Sequence, residues 1–187
     1  SSDIGSAGYW LIMHEIGHSL GLDHTNPTVD LDPNDPNYVQ VYSSIDNQKF
    51  SIMSYNGLPG MDDLNVADDE VTPFGLQLLD IAAIQEIYGH NYTTRDMDTT
   101  YSKMTAFAST RINEAFIYTI WDGNGNDTID GSGYADGSGN AVRAYIDLRQ
   151  GSFSSIGLNA LGQDAVDNVA IAYHTIIENA TGGDGND

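Results

Sequence analysis

The sequence predicts an α+β protein with a helical first part and a β-rich second part. Apolar residues recur at helical spacing within 9–20 and 73–88, whereas after about residue 92 short alternating segments are separated by turns rich in Gly and Asp. A domain boundary is therefore predicted near residue 92, with one domain over 1–91 and a second over 92–187. A chain of 187 residues can hold one domain with a sizeable core or parts of two.

The first helix is predicted over Tyr9 to Leu20, where Trp10, Leu11 and Met13 supply apolar positions. Residues 25–47 follow as a polar stretch with three prolines, which predicts an irregular loop. A loop of this length is usually functional or mobile.

The second helix is predicted over Pro73 to Tyr88. Thr72 is a suitable N-cap, Pro73 suits a first helical turn, and Gly89 is expected to end the helix. Its apolar residues are more typical of a core helix than of an active site.

Three strands are predicted in the second part, over 115–121, 141–149 and 169–174. The alternation of apolar and polar residues is clearest from Val142 to Arg149. Turns such as 122–127 and 181–187, in which Gly, Asn and Asp dominate, separate the strands.

One segment of the first helix carries metal chemistry. His14 and His18 lie four residues apart and therefore one helical turn from each other, so both imidazoles can reach one ion, and Glu15 lies beside them. Gly21 can leave the helix in a left-handed conformation that turns His24 back towards the same point. Three nitrogen ligands leave a fourth tetrahedral position for water, which is typical of a catalytic zinc site.

The charge of the chain is strongly negative, at -21 from 27 acidic and 6 basic residues. Nucleic acid and anionic membrane surfaces are excluded as partners because binding them requires clustered Lys and Arg. No run of 18 apolar residues is present, which excludes a membrane-spanning helix. Asp in loops rich in Gly and Asn favours calcium, and the absence of cysteine excludes disulfides and thiolate ligands.

The pattern HExxHxxGxxH of residues 14–24, together with Ser51-Ile52-Met53-Ser54-Tyr55, resembles the metzincin zinc peptidases. Within them the chain resembles the serralysins, which are secreted bacterial endopeptidases with a calcium-binding β-roll of repeats-in-toxin type. Further similarity lies at 80–85, 87–89, 121–128 and 177–187. Matrix metalloproteinases and adamalysins lack a tyrosine at the position of Tyr55. Astacins have that Tyr but place Glu where Thr25 stands and use disulfides, which favours serralysin.

The resemblance implies the C-terminal part of a metzincin catalytic domain, with a zinc helix, a Met-turn and a second long helix, followed by the start of a calcium-binding parallel β-roll. It implies that His14, His18 and His24 bind one zinc ion and that Glu15 is the general base. Met53 would form the Met-turn. Tyr55 would be a further zinc ligand that swings away when substrate arrives and then stabilises the oxyanion.

Two calcium sites at the domain junction follow from the same resemblance. Backbone oxygens of Arg95, Met97 and Thr99 would hold the first ion with Asp122, Asn124 and Asp127. Gly125, Asp127 and Glu178 would hold the second, with Asp127 bridging the two ions. The family has Gly at position 97 and Thr at position 176, where this chain has Met97 and Ile176. Residues 182–187 match only the opening of a calcium-binding repeat, which cannot build a site alone.

The implied partners are protein or peptide substrates, a proteinaceous inhibitor, and N-terminal and C-terminal portions of the same protein, because both ends resemble cuts in a longer chain. The implied location is extracellular. Two alternatives remain open: a calcium-binding structural module, or an inactive fragment that retains the zinc motif. His90 and His174 have no ligand spacing to another histidine and are interpreted as structural.

Overall fold

A computed structural model describes residues 3–25, 44–57 and 71–186 of the chain. The acidic segments at 26–37, within the predicted loop, and at 61–70 lie outside the described residues. Within the described ranges, two helices precede a region of short strands. The elements are α1 (Ala7–Ser19), α2 (Leu78–Tyr88), β1 (Thr100–Tyr101), β2 (Tyr118–Ile120), β3 (Thr128–Asp130), β4 (Phe153–Ser154), β5 (Val169–Ile171) and β6 (Asn179–Thr181).

Helix α1 confirms the first predicted helix, with a shift of one or two residues at each end. The Ser6 hydroxyl caps its start by accepting from the Tyr9 N–H at 3.2 Å. At the other end Gly21 has φ of 89°. The N–H groups of Gly21 and Leu22 then donate to the carbonyls of His18 and Gly17, both at 3.0 Å. This helix end reverses the chain as the sequence predicts.

Helix α2 begins at Leu78, so the predicted start at Pro73 is wrong. The residues before it are held by other segments: the Thr72 hydroxyl donates to the Ser6 carbonyl at 3.0 Å, and the Phe74 N–H donates to the Ile117 carbonyl at 3.0 Å. Gln77 is the actual N-cap and forms a reciprocal capping box with Asp80. The helix ends at Gly89 as predicted, with φ of 86°.

The strands form two three-stranded sheets. The first has the order β1-β3-β6 and is parallel throughout, with Thr100 beside Thr128 and Thr128 beside Asn179. The second has the order β2-β5-β4, in which β2 and β5 are parallel and β4 is antiparallel to β5. From β1 to β3 the chain passes from the first sheet to the second and back.

The predicted strand over 141–149 is absent as a strand. Val142 and Ala144 are buried and Tyr145 is exposed, so the predicted alternation of faces is right. The hydrogen bonds are irregular, however. Only isolated bridges form at Ala141 and Tyr145, and the Asp147 N–H donates to the Ser154 hydroxyl instead of to a backbone carbonyl. Of the other two predicted strands, 115–121 contains β2 in its second half and 169–174 contains β5 in its first half.

Two apolar clusters position the sites. The larger lies in the strand region and includes the stacked rings of Phe107 and Phe116. The smaller joins the two helices and has as members or packed neighbours Trp10, Met13, Leu20, Leu22, Ile52, Met53, Leu76, Ala83, Ile84 and Trp121. Trp121 directly follows β2, so the second region contacts the helices directly. Neither helix of the described residues is long and apolar enough to cross a bilayer.

Candidate metal centre

The three histidines of the motif converge on one point. The Nε2 atom of His24 lies 3.3 Å from that of His14 and 3.1 Å from that of His18. One ligand nitrogen from each ring lies within 4.8 Å of the others. Tetrahedral zinc with Zn–N bonds of 2.0–2.1 Å requires nitrogen separations of about 3.3 Å. The spacing therefore fits a zinc ion held by three imidazoles.

Backbone carbonyls fix the protons of two of these rings. His14 Nδ1 lies 2.9 Å from the Ile52 carbonyl, and His18 Nδ1 lies 3.0 Å from the Leu22 carbonyl. A carbonyl oxygen only accepts, so Nδ1 of each ring carries the proton and donates it. In the neutral rings Nε2 is then an unprotonated acceptor pointing at its neighbours, which is the state a metal ligand needs.

Met53 lies beneath the histidine helix, where the resemblance places the Met-turn. Its side chain is buried, and a Cβ built on Gly17 would come within 2.5 Å of the Met53 sulfur. A side chain at position 17 would therefore force the Met53 sulfur to shift. The thioether is a packing group of the small cluster.

Tyr55 lies beside the imidazoles. Its ring centroid is 4.9 Å from that of His24 and 5.1 Å from that of His14, and 52% of the residue is exposed. A ring that contacts two candidate ligands and is half open to solvent can move without disturbing the core. Trp10 packs edge-on against Tyr55 at 6.0 Å and donates its indole N–H to the Ile52 carbonyl at 2.9 Å.

Glu15 is exposed on α1 between the first two histidines. Its backbone carbonyl accepts from the Ser19 hydroxyl at 3.1 Å. The structure therefore brings His14, His18, His24 and Tyr55 together, and it leaves Glu15 accessible on the same helix.

Asp46 is a supporting residue that sequence reasoning missed. Its buried carboxylate accepts from the hydroxyl of Thr25, next to His24, and from the hydroxyl of Ser54 at 2.8 Å, next to Tyr55. It also accepts from the Asn56 amide at 2.9 Å. One carboxylate thus fixes the chain after the third histidine to the chain around Tyr55.

Asp80 is a second missed residue, on α2. Its carboxylate accepts from the Ser51 hydroxyl at 2.5 Å, the Ile52 N–H at 2.8 Å and the Gln77 N–H at 2.7 Å. Burial raises the pKa of Asp80 to about 6, although these hydrogen bonds act in the opposite direction. The carbonyl of the same Ile52 accepts from His14 Nδ1. Asp80 therefore holds the residue that orients the His14 ring.

The predicted calcium residues of the second region also lie together. Asp127 is 1% exposed, its Oδ1 accepts from the Thr99 N–H at 2.7 Å, and its N–H donates to Glu178 Oε2 at 2.7 Å. Its Oδ2 is buried without a hydrogen-bond partner among the described residues. Burial, followed by the charges of Asp122, Glu178 and Asp98, raises the pKa of Asp127. A buried unpaired carboxylate oxygen among other carboxylates fits a cation.

Gly125 completes the inner side of this group. Its φ is 133°, and a Cβ there would lie 2.8 Å from the Met97 carbonyl and 2.9 Å from Asp127 Oδ1. A side chain would thus fill the space between these oxygens. The Met97 side chain is 76% exposed, so the departure from the family's Gly is accommodated in solvent.

Arg95 and Asn124 border the same group. Arg95 has φ of 50° and donates from Nη1 to the Trp121 carbonyl at 2.8 Å. The Asn124 N–H donates to Asp122 Oδ1 at 3.1 Å. Asp98, which the sequence reasoning missed, accepts from the Asn126 N–H at 3.0 Å and adds a further carboxylate.

In the repeat-like end of the chain, Asp184 accepts from the Gly133 N–H at 2.8 Å.

Comparison with known proteins shows the family to which the chain is similar. Residues 80–187 match the family model described as peptidase M10 serralysin C terminal. Serralysin C of Dickeya chrysanthemi is 37% identical over 194 residues, which cover 100% of this chain and 37% of that protein. The metallopeptidase AprA of Pseudomonas marginalis is 35% identical, covering 99% and 37%, and the serralysin of Proteus mirabilis is 36% identical, covering 99% and 35%.

The chain thus spans about a third of the length of these relatives. The family match begins within α2 and includes every residue of the strand region, whereas the relatives align over the helices as well. Because the family model covers more than half of the chain, the chain belongs to the serralysin family of M10 peptidases.

Proposed function

We propose that this chain carries the zinc site of a secreted endopeptidase in residues 1–91 and the start of a calcium-binding parallel β-roll in residues 92–187. The observation that carries the enzymatic part is the convergence of three imidazole Nε2 atoms, with two Nδ1 protons fixed on carbonyl oxygens. Membership of a peptidase family supports peptide bonds as the substrate class.

The residues around this point can divide the work of hydrolysis. Zinc, when bound, supplies a water with a pKa lowered towards 7 and polarises the peptide carbonyl. Glu15 takes the proton of the attacking water on a carboxylate oxygen and gives it to the leaving amine nitrogen. The Tyr55 hydroxyl, moved away from the imidazoles, donates to the developing oxyanion. The half-exposed position of Tyr55 beside His14 and His24 supports this movement.

The calcium part rests on the junction carboxylates. Asp127 Oδ2 is buried and unpaired within the described residues, while Asp122 and Glu178 lie close enough to influence its titration. A cation would remove the repulsion among these groups and satisfy the free oxygen. The parallel sheet of β1, β3 and β6, with the chain alternating between two sheets from β1 to β3, supports the start of a roll.

Glu15→Gln tests the enzymatic proposal. The amide keeps the size of the side chain and cannot accept the proton, so casein hydrolysis by the purified protein should fall by about 10²- to 10⁴-fold. Zinc content, measured by mass spectrometry, should remain near one ion per chain. Glu86→Gln, at an exposed glutamate on α2, is the matched control and should retain activity.

The result also separates the alternatives. Hydrolysis that survives in Glu15→Gln would overturn the role of this residue. Zinc binding by the unaltered protein without hydrolysis of casein would favour a binding module or an inactive fragment over an enzyme. Chelator-sensitive hydrolysis of casein would support the enzyme.

A further inference from the structure

Asp122 is held from two sides by buried hydroxyl groups that belong to none of the predicted calcium ligands. The Tyr101 hydroxyl donates to Asp122 Oδ2 at 2.5 Å. The Thr175 hydroxyl accepts from the Asp122 N–H at 3.1 Å and donates to the Asp122 carbonyl at 2.9 Å. Tyr101 and Thr175 are each 0% exposed, and Asp122 is 2% exposed.

These contacts restrict both the side chain and the backbone of Asp122. The Tyr101 hydroxyl donates to Oδ2 and the Asn124 N–H donates to Oδ1 at 3.1 Å, so each carboxylate oxygen accepts one hydrogen bond and keeps a lone pair for an ion. The Thr175 hydroxyl fixes the peptide groups on either side of the Asp122 Cα, so the carboxylate cannot move by backbone rotation. Outer groups of this kind orient metal ligands and typically change metal affinity by 10- to 100-fold when removed.

We propose that Tyr101 and Thr175 are positioning residues of the junction calcium site, which they serve by holding the carboxylate and the backbone of Asp122 in one orientation. The inference rests on the proposed calcium function. It adds two residues that contribute no ligand atom, one from β1 and one from the segment after β5. These residues couple the ends of two sheets to the ion.

The test uses terbium as a luminescent substitute for calcium, because Trp121 adjoins Asp122 and can sensitise an ion bound there. Titration of the metal-depleted protein with Tb³⁺, followed by displacement with Ca²⁺, gives the affinity of the junction site. Tyr101→Phe should weaken calcium binding by about tenfold or more. Tyr134→Phe is the matched control, because Tyr134 is also buried and its hydroxyl has no partner within the described residues.

Thr175 provides a second pair of variants that does not disturb the aromatic core. Thr175→Val removes the hydroxyl at similar volume and should weaken calcium binding about tenfold, whereas Thr175→Ser retains the hydroxyl and should bind within about twofold of the unaltered protein. A purely structural role would lower the melting temperature equally with and without calcium. A positioning role reduces the increase that calcium produces.

The outcomes separate this inference from the proposed calcium site. Failure of the unaltered protein to bind Tb³⁺ or Ca²⁺ would overturn the calcium site and the inference together. Normal binding by the unaltered protein, with unchanged affinity in Tyr101→Phe and Thr175→Val, would overturn the inference alone. Weakened binding in these two variants, with normal binding in Tyr134→Phe and Thr175→Ser, would support it.

Discussion

The sulfur of Met53 lies against the backbone of Gly17, at a point where a Cβ on Gly17 would come within 2.5 Å of it. The contact joins the segment around Met53 to the helix turn that separates His14 from His18. Since Met53 is 1% exposed within the small cluster, it has little room to move away. The glycine between the two histidines is therefore required by packing, although glycine itself weakens a helix.

Gly17→Ala is expected to destabilise the protein. Alanine gains up to about 1 kcal/mol over glycine in a helix interior. Overpacking a core typically costs about 1–3 kcal/mol, which outweighs that gain here. Chemical denaturation should show a lower free energy of unfolding, and zinc should dissociate faster. Gly75→Ala is the control, because a Cβ there meets nothing within 4 Å. Equal stability of the two variants would contradict the contact.

Asp46→Ala is expected to loosen the chain next to His24 and around Tyr55, two of the proposed zinc ligands. It removes the acceptor of the Thr25, Ser54 and Asn56 side chains at a buried position. Loss of a buried acceptor costs roughly 1–3 kcal/mol for each buried donor that is left unpaired. Supporting residues of a metal site change metal affinity about 10- to 100-fold. Competition with a zinc chelator measures this change.

The control for Asp46 is Asp164→Ala, which removes an exposed carboxylate that lies 4.0 Å from Arg143. Surface changes of this kind usually stay within about 0.5 kcal/mol. If Asp46→Ala bound zinc as tightly as Asp164→Ala, the carboxylate would have no part in holding His24 and Tyr55 in place.

The pH dependence of stability provides a test of Asp80. Burial raises its pKa to about 6 from an ordinary value of 3.8, so the folded protein binds more protons than the unfolded chain between these values. The contribution of Asp80 to stability is therefore fully present below about pH 4, decreases as the pH rises to about 6, and is constant above that. Asp80→Asn lacks this titration and still accepts from backbone N–H groups.

The free energy of unfolding of Asp80→Asn, taken relative to the unaltered protein, should rise between pH 4 and pH 6 and then level off. The change is of the order of 3 kcal/mol at most. Urea denaturation at several pH values measures it, and groups common to both proteins cancel in the difference. A difference independent of pH would mean that the three donors to Asp80 keep its pKa at or below the ordinary range.

The contrast between the histidines and their supporting carboxylates shows what local sequence can predict. The spacing of His14 and His18 and the turn at Gly21 are local, because helix geometry and one positive φ angle bring the ligands together. Asp46 and Asp80 could not be identified in this way. Their donors come from separate segments, and nothing in the residues around them distinguishes a buried carboxylate from the many exposed ones.

The same distinction applies to the secondary structure. The end of α2 at Gly89 was predictable because a local residue causes it, whereas its start depends on contacts of Thr72 and Phe74 with distant segments. The alternation at 142–145 correctly predicts buried and exposed faces. It could not show that the backbone of Asp147 pairs with a side chain, since regular strands require a partner that alternation does not specify.

Asp127→Asn tests the junction calcium site as a source of stability. A ligand that binds only the folded state at 100 times its Kd stabilises it by about 2.7 kcal/mol. Because Asp127 is proposed to bridge both ions, replacing its carboxylate with an amide should abolish most of the increase in melting temperature that calcium produces in the unaltered protein. Without calcium the variant should be at least as stable, because the amide relieves repulsion from Asp122, Glu178 and Asp98. Asp164→Asn, at an exposed site, is the control and should keep the full increase in melting temperature with calcium. A full increase in Asp127→Asn would exclude Asp127 as the bridging ligand.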